Sequence, residues 1–590
     1  MIKLPRLTIE TTFITLAFAI GLILRFLYLG SAPLSDFEAE RALGALFFSR
    51  GSSLVAIPDS GYMLLTGVLF NLFEGSNFIA RLWVAIAGSL IILVPYLFRD
   101  LLGRSAAVIL AFGFALDPGL VAISRLAGGP MFSLGFGLLA VGFLYQRKPI
   151  WSGIFGGLAL LGGPTIWHGV LIFLMAWFIG KLVLKQGFNE IFLTTDAYPD
   201  KAHDVRNGLL ALGGVILMTG TLAFSGPQGL SSFALTVPVY LGGWLSVSGI
   251  SITQLLAALF IYQPLAIIFG ISGVVWSWME SKPFPRWLSL WALTSLVVVL
   301  IYPGRQVYDL VWVLIPLWAI AAMEISRFLS IDRRDQLPAL GQAFLIFLLM
   351  ALAWINLAGL DQNPGDQAFR LRWAVILGTL ALGVVTTVLV GLGWSASAAK
   401  HGLVWGLIAG LGIYGLANTW WVSQLRSNRD NELWYPPPAI RQEVELIATL
   451  EGLSEVKTGI PNEIDVTVTN TAPSLRWALR NFPNSQFTNG TISGELPSVI
   501  ISGSEESAPA LAGSYRGQDF AWRVKPGWQG GLPMDWQALP RWLVFRDAPQ
   551  QVEHLILWAR SDLFPGGELL PMDAESPTEE EAPLEESPLQ

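Results

Sequence analysis

Apolar runs of about 20 residues recur from Thr11 to about Trp421, and this recurrence restricts the fold more than any other feature of the chain. A helix of that length rises far enough to cross a hydrocarbon core roughly 30 Å thick. Over 590 residues the chain is 53% hydrophobic and 13% charged, with a mean hydropathy of +0.56. Soluble domains carry roughly 25% charged residues. A soluble globular protein is therefore excluded, and an α-helical polytopic membrane protein is expected. The spans fall near 11–29, 76–98, 105–122, 130–146, 150–163, 166–185, 207–225, 254–278, 287–302, 309–328, 338–358, 371–392 and 402–421, about 13 transmembrane helices. The first run has no small-residue cleavage site behind it and continues into Arg25 and Tyr28, so it reads as a retained span rather than a signal peptide. Cysteine is absent, which removes disulfides, thiolate nucleophiles and cysteine-ligated zinc.

Lysine and arginine set the orientation. With the N-terminus in the cytoplasm, the inner loops hold Lys3 and Arg6, Arg99 and Arg104, Arg147 and Lys148, Lys181 to Arg206, Lys282 and Arg286, Arg327 to Arg334, and Lys400. The outer loops hold far fewer, as the positive-inside rule requires. Residues 1–425 then form the transmembrane domain, in a plasma membrane, with a first external loop at about 30–75. Within that loop the short run Tyr62 to Phe73 is too brief to cross and is placed at the membrane surface.

Beyond the last span the material changes. Residues 426–440, with "WYPPPAI", read as a stiff proline-rich linker. In 441–564, "EIDVTVTN" and "LPSVIISG" read as strands and "PSLRWALRNF" has helical spacing, which predicts a small C-terminal extracytoplasmic α/β domain. Residues 565–590, ending "ESPTEEEAPLEESPLQ", form an acidic tail too poor in apolar groups to order itself. The net charge of -7 comes largely from this end.

Charges at the outer membrane face carry the functional signal, because a charge at the bilayer centre costs roughly 3 kcal/mol or more. Arg25 and Arg81 sit at span ends, where an arginine can snorkel to the headgroups. Arg125 and Arg305 are flanked by Gly128, Gly129 and Gly304, where the backbone can approach a ligand, and a guanidinium grips phosphate through two parallel bonds. Arg81, Asp59, Tyr308 and Asp309 are further candidates for a cleft. In the first loop, "SDFE" fits a capping box: Ser35 caps a helix and Glu38 reaches back to it. Such a box needs no carboxylate at Asp36, so Asp36 is expected to face the cleft while Glu38 has a structural duty.

The stretches "LLTGVLFNLFEGSNFIARLWVAIAGSLIILVPYLFRDLLGR" and "AVILAFGFALDPGLVAISRLAGGPMFSLGFGLLAVGFLY", behind a first span and an acidic loop, resemble the protein O-mannosyltransferase and aminoarabinose-transferase group of GT-C membrane glycosyltransferases. They are also similar to a prokaryotic branch associated with N-glycosylation and lipid-linked oligosaccharide flipping. The resemblance is strongest over residues 20–185. It implies a polyprenyl-phosphate sugar donor, an acidic first-loop residue acting as base, and arginines holding the lipid phosphate. The family shows an adjacent Asp-Glu pair; here Phe37 stands at the Asp position, Glu38 fits the Glu position, and Asp36 is one place early. A histidine often found before the surface helix is replaced by the run Asp59, Ser60, Gly61.

Attack on an anomeric carbon needs a base for the acceptor proton and fixed cations for the departing phosphate. Asp36 or Glu38 supplies the base, with Asp36 preferred on the capping argument, and Arg125 and Arg305 supply the cations. The four histidines, at 168, 203, 401 and 554, are scattered, so no protein metal site is expected; a divalent cation bridging a carboxylate and the lipid phosphate is compatible with the sequence. The expected partners are a polyprenyl-phosphate sugar, a glycan, lipid or protein acceptor, and membrane lipids, not nucleic acid. Two alternatives stand beside transfer. One is a catalytically silent relative that binds lipid-linked sugars or assists their flipping. The other is a secondary transporter, which would show internal repeats that are absent here.

Orientation is directly testable in a chain without cysteine. A cysteine introduced at Ser504 should react with a membrane-impermeant maleimide in intact spheroplasts. Labelling only after lysis would reverse the topology.

Overall fold

The computed structural model describes residues 8–51, 58–185, 201–221, 224, 228–361, 367–423, 431–488, 496–504, 514–527 and 538–566. In chain order its helices are α1 (Ile9–Phe26), α2 (Asp36–Ser49), α3 (Ser60–Phe73), α4 (Asn77–Leu97), α5 (Arg104–Leu116), α6 (Pro118–Ser124), α7 (Met131–Tyr145), α8 (Pro149–Leu160), α9 (Thr165–Leu184) and α10 (Lys201–Gly220). They continue as α11 (Gln228–Gly242), α12 (Ile252–Tyr262), α13 (Pro264–Met279), α14 (Pro283–Ile301), α15 (Val307–Ser326), α16 (Arg333–Ala358), α17 (Gln367–Gly393), α18 (Ala396–Val422), α19 (Glu443–Thr458), α20 (Pro473–Ala478) and α21 (Ala538–Phe545).

Each of the apolar runs read as a span is helical over its described residues, but they differ in reach, and α10, at the expected span 207–225, is not among the helices long and apolar enough to cross. Among the described residues eight helices are long and apolar enough to cross a membrane, and up to 10 if each of two bent pairs counts as one span. The expected spans at 130–146 and 150–163 are the shorter apolar helices α7 and α8. The bends have local causes. Pro118 and Pro264 cannot donate to the preceding turn and push the residue before them out of the helical region. So α5 and α6 meet at 55° around Asp117, and α12 and α13 at 91° around Gln263. Asp117 fixes its corner by accepting from the Leu120 N–H at 2.8 Å and from Trp318 Nε1 at 2.7 Å.

Burial separates centre from periphery. In α15, 83% of the apolar window is buried inside the protein, whereas α16 and α17 bury 11% and 6% and present their apolar residues outward, as helices bathed in lipid would.

Two compact units are present: Met1–Ala439 with Val524–Gln551, and Ile440–Arg523 with Val552–Gln590. The first unit therefore takes in the expected linker up to Ala439 and a segment of the expected C-terminal domain. Burial gives the reason. Trp434 and Trp542 are fully buried, and Arg546 joins Glu432 at 3.2 Å and Asn418 at 2.8 Å inside this unit.

The second unit holds a six-stranded sheet of strands β1 (Ala439–Ile440), β2 (Val466–Val468), β3 (Ser485–Phe487), β4 (Val499–Gly503), β5 (Tyr515–Pro526) and β6 (Gln550–Arg560), ordered β1-β5-β6-β4-β2-β3. β2 pairs in parallel with β3 and β4, and β4 pairs antiparallel with β6, Ile501 opposite Leu557. Val499, Ile500 and Ile501 are all buried, the continuous apolar reading of a strand covered on both faces. β6 buries alternate residues Leu555, Leu557 and Ala559, the pattern of a strand with one face on the core. The three stretches read as strand, helix and strand from the sequence are β2, α20 and β4. The acidic tail lies outside the described residues beyond Gly566.

Candidate functional site

The first loop folds as the helical hairpin α2–α3, and its start is fixed by the expected capping box. The Ser35 Oγ accepts from the Glu38 N–H at 3.4 Å, and Glu38 Oε2 accepts from the Ser35 N–H at 3.2 Å. Glu38 does more than cap. Its carboxylate is fully buried and takes two parallel bonds from Arg81, Nε to Oε1 at 2.7 Å and Nη2 to Oε2 at 2.9 Å. Oε1 also accepts from the Ala127 N–H at 3.0 Å. Arg81 spends its remaining donors on the carbonyls of Leu29, Ala32 and Pro33 at 2.8 to 3.0 Å. One ion pair thus ties α1's exit, the start of α2, α4 and the loop after α6 together.

The arginines read as phosphate ligands are placed differently. Arg125 is fully buried, and its Nη1 donates to the carbonyls of Leu24, Arg25 and Leu27 at 2.9 to 3.0 Å, with Nη2 on Tyr28 O at 3.3 Å. These are the orphan acceptors at the end of α1. Arg25, equally buried, reciprocates by donating to Phe114 O at 2.8 Å and Ala115 O at 3.3 Å at the end of α5, and to Ser124 Oγ at 3.1 Å. Each guanidinium therefore caps the helix that leads to the other. Arg305 is half-buried and holds Ile250 O at 3.0 Å and the last carbonyls of α14. Asp309 is buried and caps its own turn, accepting from the Gln306 N–H at 2.8 Å.

What the fold brings together is a group around a residue that the sequence reading passed over. Arg41 lies one turn beyond Phe37 on α2; its guanidinium stands 3.7 Å over the Phe37 ring and its Nη1 donates to Phe37 O at 2.9 Å. Its Nε meets Asp59 Oδ2 at 2.5 Å. Tyr308 packs beside Phe37 with ring centroids 5.5 Å apart. Two glycines in left-handed conformations permit the approach. A Cβ at Gly128 (φ +80) would run into the Arg41 side chain, and one at Gly163 (φ +100) into Asp59. The Arg41 side chain keeps 16% exposure and Asp59 5%, while Asp36 is half-buried on the first turn of the same helix. Burial opposes charge on Arg41, and Asp59 together with Tyr308 and Glu40 outweighs it, holding the guanidinium above its ordinary pKa.

Of the sequence candidates, Asp59 and Tyr308 therefore gather at Arg41, with Asp36 on the same helix. Glu38 with Arg81, and Asp309, are occupied by backbone or by each other; Arg125 and Arg305 donate to backbone carbonyls, and the Arg125 Nε is buried with no hydrogen-bond partner. The signal that could have found Arg41 was present: a cation four residues after an aromatic on one helix face, with a glycine pair in the loop after α6. Among the described residues no group of three or more His, Asp or Glu is disposed to hold a metal ion.

Neither a known protein-family model nor a curated protein matches the sequence. The fold does match a solved one. ArnT from Cupriavidus metallidurans, bound to undecaprenyl phosphate, is 14% identical, the match covers 84% of this chain and 94% of that one, and the TM-score is 0.52. The apo state of ArnT from the same organism gives 15% identity, 80% and 85% coverage and a TM-score of 0.47. The first of these likenesses gives the fold: the chain is an α-helical polytopic membrane protein of the GT-C type with a small C-terminal sheet domain.

A capping role for Arg125 has a measurable consequence. Arg125→Met should lower the melting temperature followed by intrinsic tryptophan fluorescence, since each buried carbonyl left without a donor costs about 1–3 kcal/mol. Arg125→Lys should recover part of the loss. An unchanged melting temperature in the Met variant would show that these bonds are dispensable.

Proposed function

We propose that the chain is a membrane glycosyltransferase that moves a sugar from a polyprenyl-phosphate donor to an acceptor hydroxyl on the extracytoplasmic side. The observation that carries this reading is the partly exposed Arg41 guanidinium, held charged by Asp59 and backed by Phe37 within a GT-C fold. A protein of the same fold was solved with undecaprenyl phosphate bound, which supports the donor class.

In this reaction the acceptor oxygen attacks the anomeric carbon and its proton passes to the Asp36 carboxylate. The bond from the anomeric carbon to the phosphate oxygen breaks, and the electron pair leaves with the polyprenyl phosphate. Arg41 neutralises the charge that develops there, an interaction that strengthens as the bond lengthens. Asp59 is a positioning residue that aims Arg41. Glu38, Arg81 and Arg125 build the backbone around the group and do not touch substrate. Arg305, on carbonyls of its own loop, is likewise assigned to structure.

A second reading is favoured by one specific observation. Phe37 stands where the resemblance places the acid of the pair, and Glu38 is consumed by Arg81 and two N–H groups. A protein that binds the lipid-linked sugar without transferring it, or assists its flipping, would carry such a site.

Purified protein incubated with radiolabelled polyprenyl-phosphate sugars, with and without membrane extract, separates the two. Transfer or release of sugar supports the enzyme; binding without either supports the silent binder. Arg41→Ala should weaken donor binding by about 10- to 100-fold, the share of a charge-assisted bond, and Arg41→Lys should restore part of it. Asp36→Asn should keep binding and lower turnover by about 100-fold or more. Donor binding unaffected by Arg41→Ala would overturn the assignment.

A further inference from the structure

A second site lies away from Arg41, within the same helices. A partly open cavity of about 390 Å³ is lined by α4, α5, α7, α8, α9, α10, α14 and α15, within the roughly 300–1,000 Å³ range of small-molecule sites, and its lining side chains are apolar. Its place along the bundle is set by the helices that reach both sites. α9 begins next to Gly163, at the Asp59 end, and lines the cavity from Ile166 to Leu174; α14 contributes Phe284 to Trp291, whereas Tyr302 and Tyr308 follow its other end. The cavity thus extends from mid-membrane toward the loops that join α4 to α5 and α13 to α14.

Those loops and the first turns of α5 and α14 carry cations next to the cavity's lining. Arg99 follows Phe98, Arg104 comes two residues after Leu102, Lys282 two before Phe284, and Arg286 directly before Trp287. Against these four stand Asp100, 3.8 Å from Arg99, and Glu280, 3.2 Å from Lys282, so positive charge remains in excess. Arg286 donates through Nη2 to Trp278 O and Ser281 Oγ, but its Nε is buried with no hydrogen-bond partner. An apolar chamber under a cationic rim fits one molecule class: a hydrocarbon chain with an anionic head.

We propose that this cavity binds an acyl chain of an anionic phospholipid from the leaflet opposite the Arg41 site, with the lipid phosphate at the Arg99, Arg104, Lys282 and Arg286 rim. Chain burial supplies the affinity, and the rim supplies the preference for negative heads. The site is separate from the donor site and does not depend on the chain being a transferase.

The experiment uses the full chain in liposomes containing phosphatidylglycerol with a diazirine at the end of one acyl chain, and maps the crosslinks by mass spectrometry. Crosslinks should concentrate in α9 and α14. The pair Gly137→Leu with Gly156→Leu should reduce them by about fivefold, because a Cβ at either position meets neighbours only at ordinary contact distances and the rest of the side chain enters the cavity. Val141→Phe, at a lining position that is 42% exposed, gives the same readout should the double variant melt early. An equivalent phosphatidylcholine probe should label these helices about threefold less. Crosslinks spread evenly over lipid-facing helices, labelling insensitive to both fillings, equal labelling by the two headgroups, or displacement of the probe by polyprenyl phosphate would each overturn the proposal.

Discussion

The Glu38–Arg81 ion pair is the interaction on which the rest of the first-loop end of the membrane unit depends. Both side chains are fully buried, and between them they take up the Ser35 and Ala127 N–H groups and three carbonyls after α1. Taking two charges out of water costs several kcal/mol per ion, which mutual attraction repays only when the remaining bonds are also made. Here they are made, and the pair's value lies in direction rather than in net energy. It aims α2 and draws the loop at Ala127 against it, which brings Gly128 to Arg41.

Arginine serves elsewhere in this unit as a substitute for water. Backbone groups inside a bilayer must find partners within the protein. The ends of α1 and α5 have orphan carbonyls, and Arg125 and Arg25 supply them with donors. A charge that costs free energy to bury is retained here because each guanidinium answers three or four acceptors. Arg41 differs in that its acceptors are a carboxylate and a single carbonyl and its side chain reaches the surface.

Periodicity made much of this legible. The apolar runs are helices, the capping box at Ser35 forms, and the alternating stretches after Tyr435 become β2 and β4 flanking α20. The bends at Asp117 and Gln263 could have been read from Pro118 and Pro264, but an apolar run that continues across a proline looks like one span. What could not be read was which arginines are buried on backbone carbonyls and which keep a partly exposed side chain. Arg125 next to glycines and Arg41 behind an acidic run look alike in sequence, and only the crossing of α1 with the α6 loop decides between them. Nor does local sequence reveal that Arg546 returns to Glu432, since pairing across more than a hundred residues leaves no periodic trace.

The most direct test of this account is a double-mutant cycle on the buried pair, read from melting curves by tryptophan fluorescence. Glu38→Met and Arg81→Met should each destabilise the protein by about 3–5 kcal/mol, because each leaves an uncompensated buried charge, and the combined variant should recover most of that loss. Small, additive losses in the two single variants would contradict it, and the first-loop end of the membrane unit would have to be held by something else.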